Sequence, residues 1–275
     1  MIDTARPTVL PRRAVRPPSA KVTAPRVMDA EWIKFRTLRS SWYTLLAAVV
    51  LLIAAGAIIG YSTSTANWAT LSADRKAASS AIDGYHLAEL FIGVLGVLFV
   101  TGEYATGMIR STFAAVPRRL SVVGAKSVVF GAIALTTMTL ASFAAFFAAQ
   151  GFLSSHGHGS SLADPGVLRS VAGVGVYMAL IGLFGMALGW IVRSTAGGIS
   201  ELVGILMVIP PVIGLLSSSV SDAVTKFLPG EAGGAFLTTL HAPHTLMPWP
   251  GLGVLTLWVA AALAVAAVRV RRLDA

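Results

Sequence analysis

Cysteine is missing altogether from the 275 residues, which rules out disulfide frameworks, thiolate metal sites and cysteine nucleophiles. Charge is nearly as scarce. Asp, Glu, Lys and Arg make up 12% of the chain, against roughly 25% in an ordinary soluble domain. Acidic residues are the rarer sign, 12 against 21 basic ones, for a net charge of +9. A phosphate-binding loop is lacking too. The nearest string, Gly124-Ala125-Lys126-Ser127, has neither the glycine spacing nor the Gly-Lys pair that cradles a nucleotide. No Ser/His/Asp or Glu-rich catalytic string falls within an apolar run, so no enzymatic activity is expected of this chain.

Apolar residues are what the chain has in quantity: 55% of it, with a mean hydropathy of +0.76. That composition belongs to an all-α integral membrane protein. Crossing roughly 30 Å of hydrocarbon takes about 20 residues at 1.5 Å rise. Six runs meet or nearly meet that length: Trp42–Tyr61, Leu87–Val100 with its flanks, Ser127–Gln150, Val171–Val192, Gly198–Ser219 and Gly251–Val268. The first forty residues hold no apolar stretch of the signal-peptide kind, so the first span is expected to be an uncleaved anchor.

The basic residues fix an orientation. Nine precede Ser40, four lie between the second and third runs, Arg193 stands alone, and Arg269, Arg271 and Arg272 close the chain. With both termini inside, only Arg75, Lys76, Arg169 and Lys226 remain outside, a strong bias under the positive-inside rule. The basic excess comes with no basic helix or RNA-binding sheet motif, so the expected partner is the lipid bilayer and not nucleic acid.

Residues 1–27 hold five prolines among six basic residues, too little apolar surface to offset ordering, and are expected to be a disordered cytoplasmic tail. From Met28 the pattern changes. Met28, Trp32, Phe35, Leu38 and Trp42 recur at steps of three or four, which lines one helical face, and Asp29 is placed to cap its start. Glu31, Lys34, Arg36 and Arg39 complete a short, basic, aromatic segment that reads as a helix in the cytoplasmic interface. A plain extension of the first span is the alternative.

The outer connectors Ser62–Tyr85 and Gly151–Ser170 are small and polar. Ser221–Pro250 mixes glycine, proline and apolar residues, which suggests short helices or a re-entrant hairpin packed at the outer surface. GxxxG spacings at Gly56/Gly60 and Gly185/Gly189 invite close helix packing. Pro210–Pro211 must kink or break the fifth span. His86, His156, His158, His241 and His244 lack carboxylate companions or a third ligand, so no metal is expected. Glu89 and Glu201 are the acidic residues nearest the apolar interior, each expected within about a turn of a span end. An ionisable group there raises the question of function.

Thr101–Lys126, TGEYATGMIRSTFAAVPRRLSVVGAK, is the stretch that stands out. It is a polar, basic interruption between two apolar runs and is expected to emerge into water on the inside. Within it Met108, Ile109, Thr112, Phe113 and Val116 share a helical face, with Arg110 elsewhere. Pro117 ends that helix, and Ser121 is placed to cap the next.

The string GEYATGMIRSTFAAVPRR with the following LSVVGAKSVV resembles the loop between the second and third spans of ABC-2-type ABC-transporter permeases. There a Gly-Glu-Tyr-x-x-Gly-x-x-Arg pattern opens a coupling helix, and a Pro-Arg-Arg turn followed by a Lys leads into the next span. Glu31-Trp32-Ile33-Lys34-Phe35-Arg36 and Arg39-Ser40-Ser41-Trp42 resemble the interface helix of those proteins, and Pro248-Trp249 with Gly251 matches the string before their last span. The resemblance runs from Met28 to the C-terminus. It implies a six-span exporter subunit, residues 28–275, in a bacterial cell membrane, paired with a second copy or a sibling permease. Glu103, Gly107, Arg110, Phe113, Pro117, Arg118 and Arg119 would then couple it to separate ATPase subunits, which would hold the ATP and Mg; this chain would hold no cofactor. The rivals are a self-sufficient secondary transporter, which typically shows inverted repeats, and a membrane anchor or regulatory subunit.

Overall fold

The computed structural model describes residues 23–65, 84–155, 157, 159–239 and 243–273, and among these every regular element is helical. Helix α1 (Ala24–Thr37) is followed by α2 (Arg39–Thr65), α3 (Tyr85–Ala105), the short α4 (Met108–Ala115), α5 (Arg119–Ser155) and α6 (Val167–Val192). Then come α7 (Thr195–Val203), a π-helical turn over Gly204–Val208, α8 (Ile209–Gly214), α9 (Ser218–Thr225), α10 (Pro229–Leu237) and α11 (Pro248–Leu273). Six segments are long and apolar enough to cross a membrane: α2, α3, α5, α6, Thr195–Gly214 and α11. Five of them begin within four residues of the expected run, and α5, the longest, starts eight residues earlier, at Arg119.

Helices α3 and α6 form the centre, and glycine puts them there. A methyl group on Gly96 would fall onto the Gly182 carbonyl, and one on Gly185 onto that of Gly93. Backbones in such close approach gain dispersion contact where lipid offers no hydrophobic drive. Gly60 of α2 meets the Ala149 backbone of α5 in the same way. Phe130, Met138, Tyr177, Phe184 and Trp190 fill the interior.

At the end of the bundle remote from α4, the buried helix α10 packs on α6 and α11. Its last carbonyls would otherwise lack donors. Arg169 donates to the carbonyls of Phe236 and Thr238, and the Ser170 hydroxyl donates to that of Leu237. Of the two expected alternatives the short helices are present, α9 and α10, and of these only α10 is buried. The proline pair falls where the span leaves α geometry: the turn before it is π-helical, and Ile209 N–H reaches back to the Gly204 carbonyl. Proline supplies no donor, and the wider turn accommodates the loss.

Candidate functional site

Helix α1 departs from the expected geometry in three ways. It begins at Ala24 behind an extended Thr23, with Pro25 in the first turn where its missing N–H costs nothing. Asp29 therefore lies in the second turn and caps nothing. Residues 24–27 belong to this helix, while residues 1–22 of the expected tail lie outside the described residues. An extended Leu38 ends it, so the stripe does not run on to Trp42. Its buried face is Val27, Glu31 and Phe35, whereas Trp32, Leu38 and Trp42 are 43–44% exposed. A carboxylate sits in the middle of the inward face.

That carboxylate has partners. Lys126 Nζ donates to Glu31 Oε2 at 2.6 Å, to Glu103 Oε1 at 2.8 Å and to the Phe99 carbonyl at 3.2 Å. It also lies 4.1 Å from the centre of the Phe99 ring. Lys34 Nζ donates to Glu31 Oε1 at 2.8 Å, Glu103 Oε1 at 3.0 Å and Thr112 Oγ1 at 3.2 Å. Glu31, Glu103 and Lys126 are each no more than 3% exposed. Two positive and two negative side chains from α1, α3 and α5 thus form one closed network. Burying any one alone would be very costly, and mutual pairing with filled hydrogen-bond positions is what makes it tolerable.

The short helix α4 is tied to this network. The Thr112 hydroxyl donates to Glu103 Oε2 at 3.3 Å while accepting from Lys34, and Ile109 is buried beneath it. Gly107 precedes α4 with φ of +72°, a left-handed turn that suits glycine. Phe113 stacks on Trp190 of α6 at 6.4 Å, with the Arg119 guanidinium 5.5 Å from its ring centre. Pro117 follows the extended Val116 that ends the helix, as expected.

The stretch 101–126 is mostly helix and not an irregular loop. All but residues 106–107 and 116–118 is helical, and its first acid and last base, Glu103 and Lys126, are buried against each other. Ser121 sits inside the first turn of α5 and does not cap it.

Burial alone would lower the Lys34 pKa. The hydrogen bonds and charges of Glu31, joined by those of Glu103, outweigh burial and raise it above the usual lysine value. The outer faces of α4 and its neighbours remain open. Arg110, Phe113, Arg119, Tyr104 and Arg193 line a cavity of about 950 Å³ with no acidic residue in its wall. Arg193 closes α6 with φ of +61°, a conformation glycine adopts more cheaply. Its guanidinium lies 5.4 Å from the Tyr104 ring centre. Arg118 lines a neighbouring cavity with Arg119 and Arg271 of α11. The structure thus gathers α1, α4, Arg193 and the C-terminal arginines at one end of the bundle.

The remaining expected residues fall elsewhere. Trp32, Arg36 and Arg39 are exposed, and Trp42 Nε1 donates to the Arg36 carbonyl at 3.1 Å. Glu89 is buried in the first turns of α3, accepts the Tyr177 hydroxyl, and lies 3.7 Å from His86 Nδ1. Glu201 is not within one turn of the span end, because the span begins at Thr195. It is exposed. His244 lies 3.8 Å from Asp222, and His156, His158 and His241 lie outside the described residues. Among the described residues no group of three metal-ligating side chains occurs. Sequence reasoning missed Lys126 as a site residue, and with it the network. The available signal was two carboxylates and an amine on otherwise apolar helical faces. No family model matches the chain, and no curated protein is similar to it.

Proposed function

We propose that this chain is the membrane-spanning permease subunit of an ABC exporter, both termini in the cytoplasm of a bacterial cell, driven by separate ATPase subunits that bind ATP and Mg. The observation that carries this reading is the fastening of α4. An eight-residue helix with an exposed, arginine-lined flank is joined through Thr112 to a buried ion network that also holds α1, α3 and α5. Pressure on α4 therefore reaches three helices at once. In a water-excluded network each hydrogen bond is stiffer than at a surface, so displacement is transmitted and not absorbed. The cavity beside α4 suits an acidic and aromatic projection from a soluble partner, because guanidinium groups pair with carboxylates and stack on rings. Burial of spans 5 and 6 against a second copy or a sibling permease completes the translocation path.

Arg110→Glu reverses charge on the exposed flank and Phe113→Asp removes the ring at its base. Each is expected to lower ATP-dependent transport at least about tenfold, the effect of removing a charge-assisted contact. Amounts of protein in the membrane should stay unchanged for Arg110→Glu. Transport at wild-type rate in both variants, with the cognate ATPase present, would overturn the docking role of α4.

A further inference from the structure

We infer that Glu201 recognises the positively charged end of a lipophilic, amine-bearing substrate, an inference that rests on the exporter reading above. The starting point is how the chain treats its other charges at membrane depth. Glu103 and Lys126 are buried and paired, and Glu89 is buried and accepts from Tyr177. Arg169 stands at the start of α6 and donates to backbone carbonyls. Glu201 alone is exposed and makes no ion pair among the described residues. It lies six residues past Thr195, about 9 Å along the helix, inside a hydrocarbon layer about 30 Å thick.

Hydrocarbon is a costly surrounding for such a carboxylate, since a charge there is disfavoured by several kcal/mol. Within this chain no basic side chain pairs with it among the described residues. A water-lined path that admits a mobile cation supplies the missing partner. The backbone one turn further along points the same way. Pro210 and Pro211 offer no N–H, so two carbonyl oxygens of the preceding π-helical turn lose the donors a helix normally gives them. A carboxylate and donor-starved carbonyls together favour an N–H-bearing cation. Exposed Met207, Val208 and Ile209 beside them supply contact for its apolar body.

The test measures binding to the full chain in lipid nanodiscs, by fluorescence polarisation, with ethidium and rhodamine 6G as cationic probes and a sulfonated fluorescein as the anionic one. Wild type is expected to bind both cations saturably and the anion weakly. Glu201→Gln should weaken cation binding about tenfold or more and leave the anion unchanged, while Glu201→Asp retains most of the affinity. Equal cation affinity in wild type and Glu201→Gln, or no saturable cation binding by wild type, overturns the inference. No ATPase is present, so a wrong exporter assignment leaves this result standing, and a negative result leaves coupling through α4 to its own test.

Discussion

In α6, 78% of the most apolar stretch is buried by the rest of the chain; in the span that follows, Thr195–Gly214, the share is 17%. Their mean hydropathies, 2.1 and 1.8, are close, so apolar character does not decide which of them becomes the centre. Close approach does. Helix α6 offers Gly185 and Gly189 to the backbone of α3 and Gly182 to the Phe130 ring of α5, and closes its ends with Arg169 and Arg193. The next span breaks its own backbone at Pro210 and shows its side chains outward. Within a bilayer, helix contacts are won by shape and hydrogen bonds because lipid is already apolar. One half of this bundle is thus finished by its own chain, and the other half presents a face.

Four perturbations sharpen that contrast. The largest effect is expected from Gly185→Leu, whose side chain would collide with the Gly93 backbone; overpacking of this kind exceeds the usual 1–3 kcal/mol when backbone must move. Folded protein recovered from the membrane should fall sharply, whereas Gly253→Leu in α11, where a side chain meets nothing within 4 Å, should leave recovery unchanged. Comparable losses in both would erase the distinction between the halves.

Lys126→Met comes next. It strands two buried carboxylates on Lys34 alone, and breaking such a pairing costs about 3–5 kcal/mol. Thermal unfolding in detergent should show it, and adding Glu103→Gln to the variant should recover part of the loss. Glu201→Gln, on the open face, should stay within about 0.5 kcal/mol of wild type.

The smallest effect concerns pH. The folded-state pKa of Lys34 is raised above 10.5, so its pairing contributes fully below that value and is lost as pH rises through the folded pKa. The melting temperature should decline at strongly alkaline pH, and Lys34→Met should flatten that decline. An identical alkaline profile in the variant would remove Lys34 from the junction.

Much of the architecture could be read from the sequence, because six apolar runs and a polar break are one-dimensional signals. The π turn directly precedes Pro210–Pro211, and the glycine pairs lie where helices touch. The buried network was not legible. Glu31 and Lys126 are 95 residues apart, and each looks like a surface charge until its neighbours along the helix are seen to be buried. Periodicity gave α1 a continuous aromatic stripe, but Leu38 adopts an extended conformation and the chain turns there. The inward face then belongs to Val27, Glu31 and Phe35. Hydropathy places Glu201 near a helix end, but α7 starts earlier than hydropathy marks it, behind Ser194, whose hydroxyl accepts from Gly197 N–H.

The junction of Glu31, Lys34, Glu103 and Lys126 has an electrical consequence. Moving one elementary charge through 100 mV of membrane potential involves about 2.3 kcal/mol. Two cations and two anions that travel as a unit sum to zero, so the junction itself contributes no net charge to a voltage-dependent barrier.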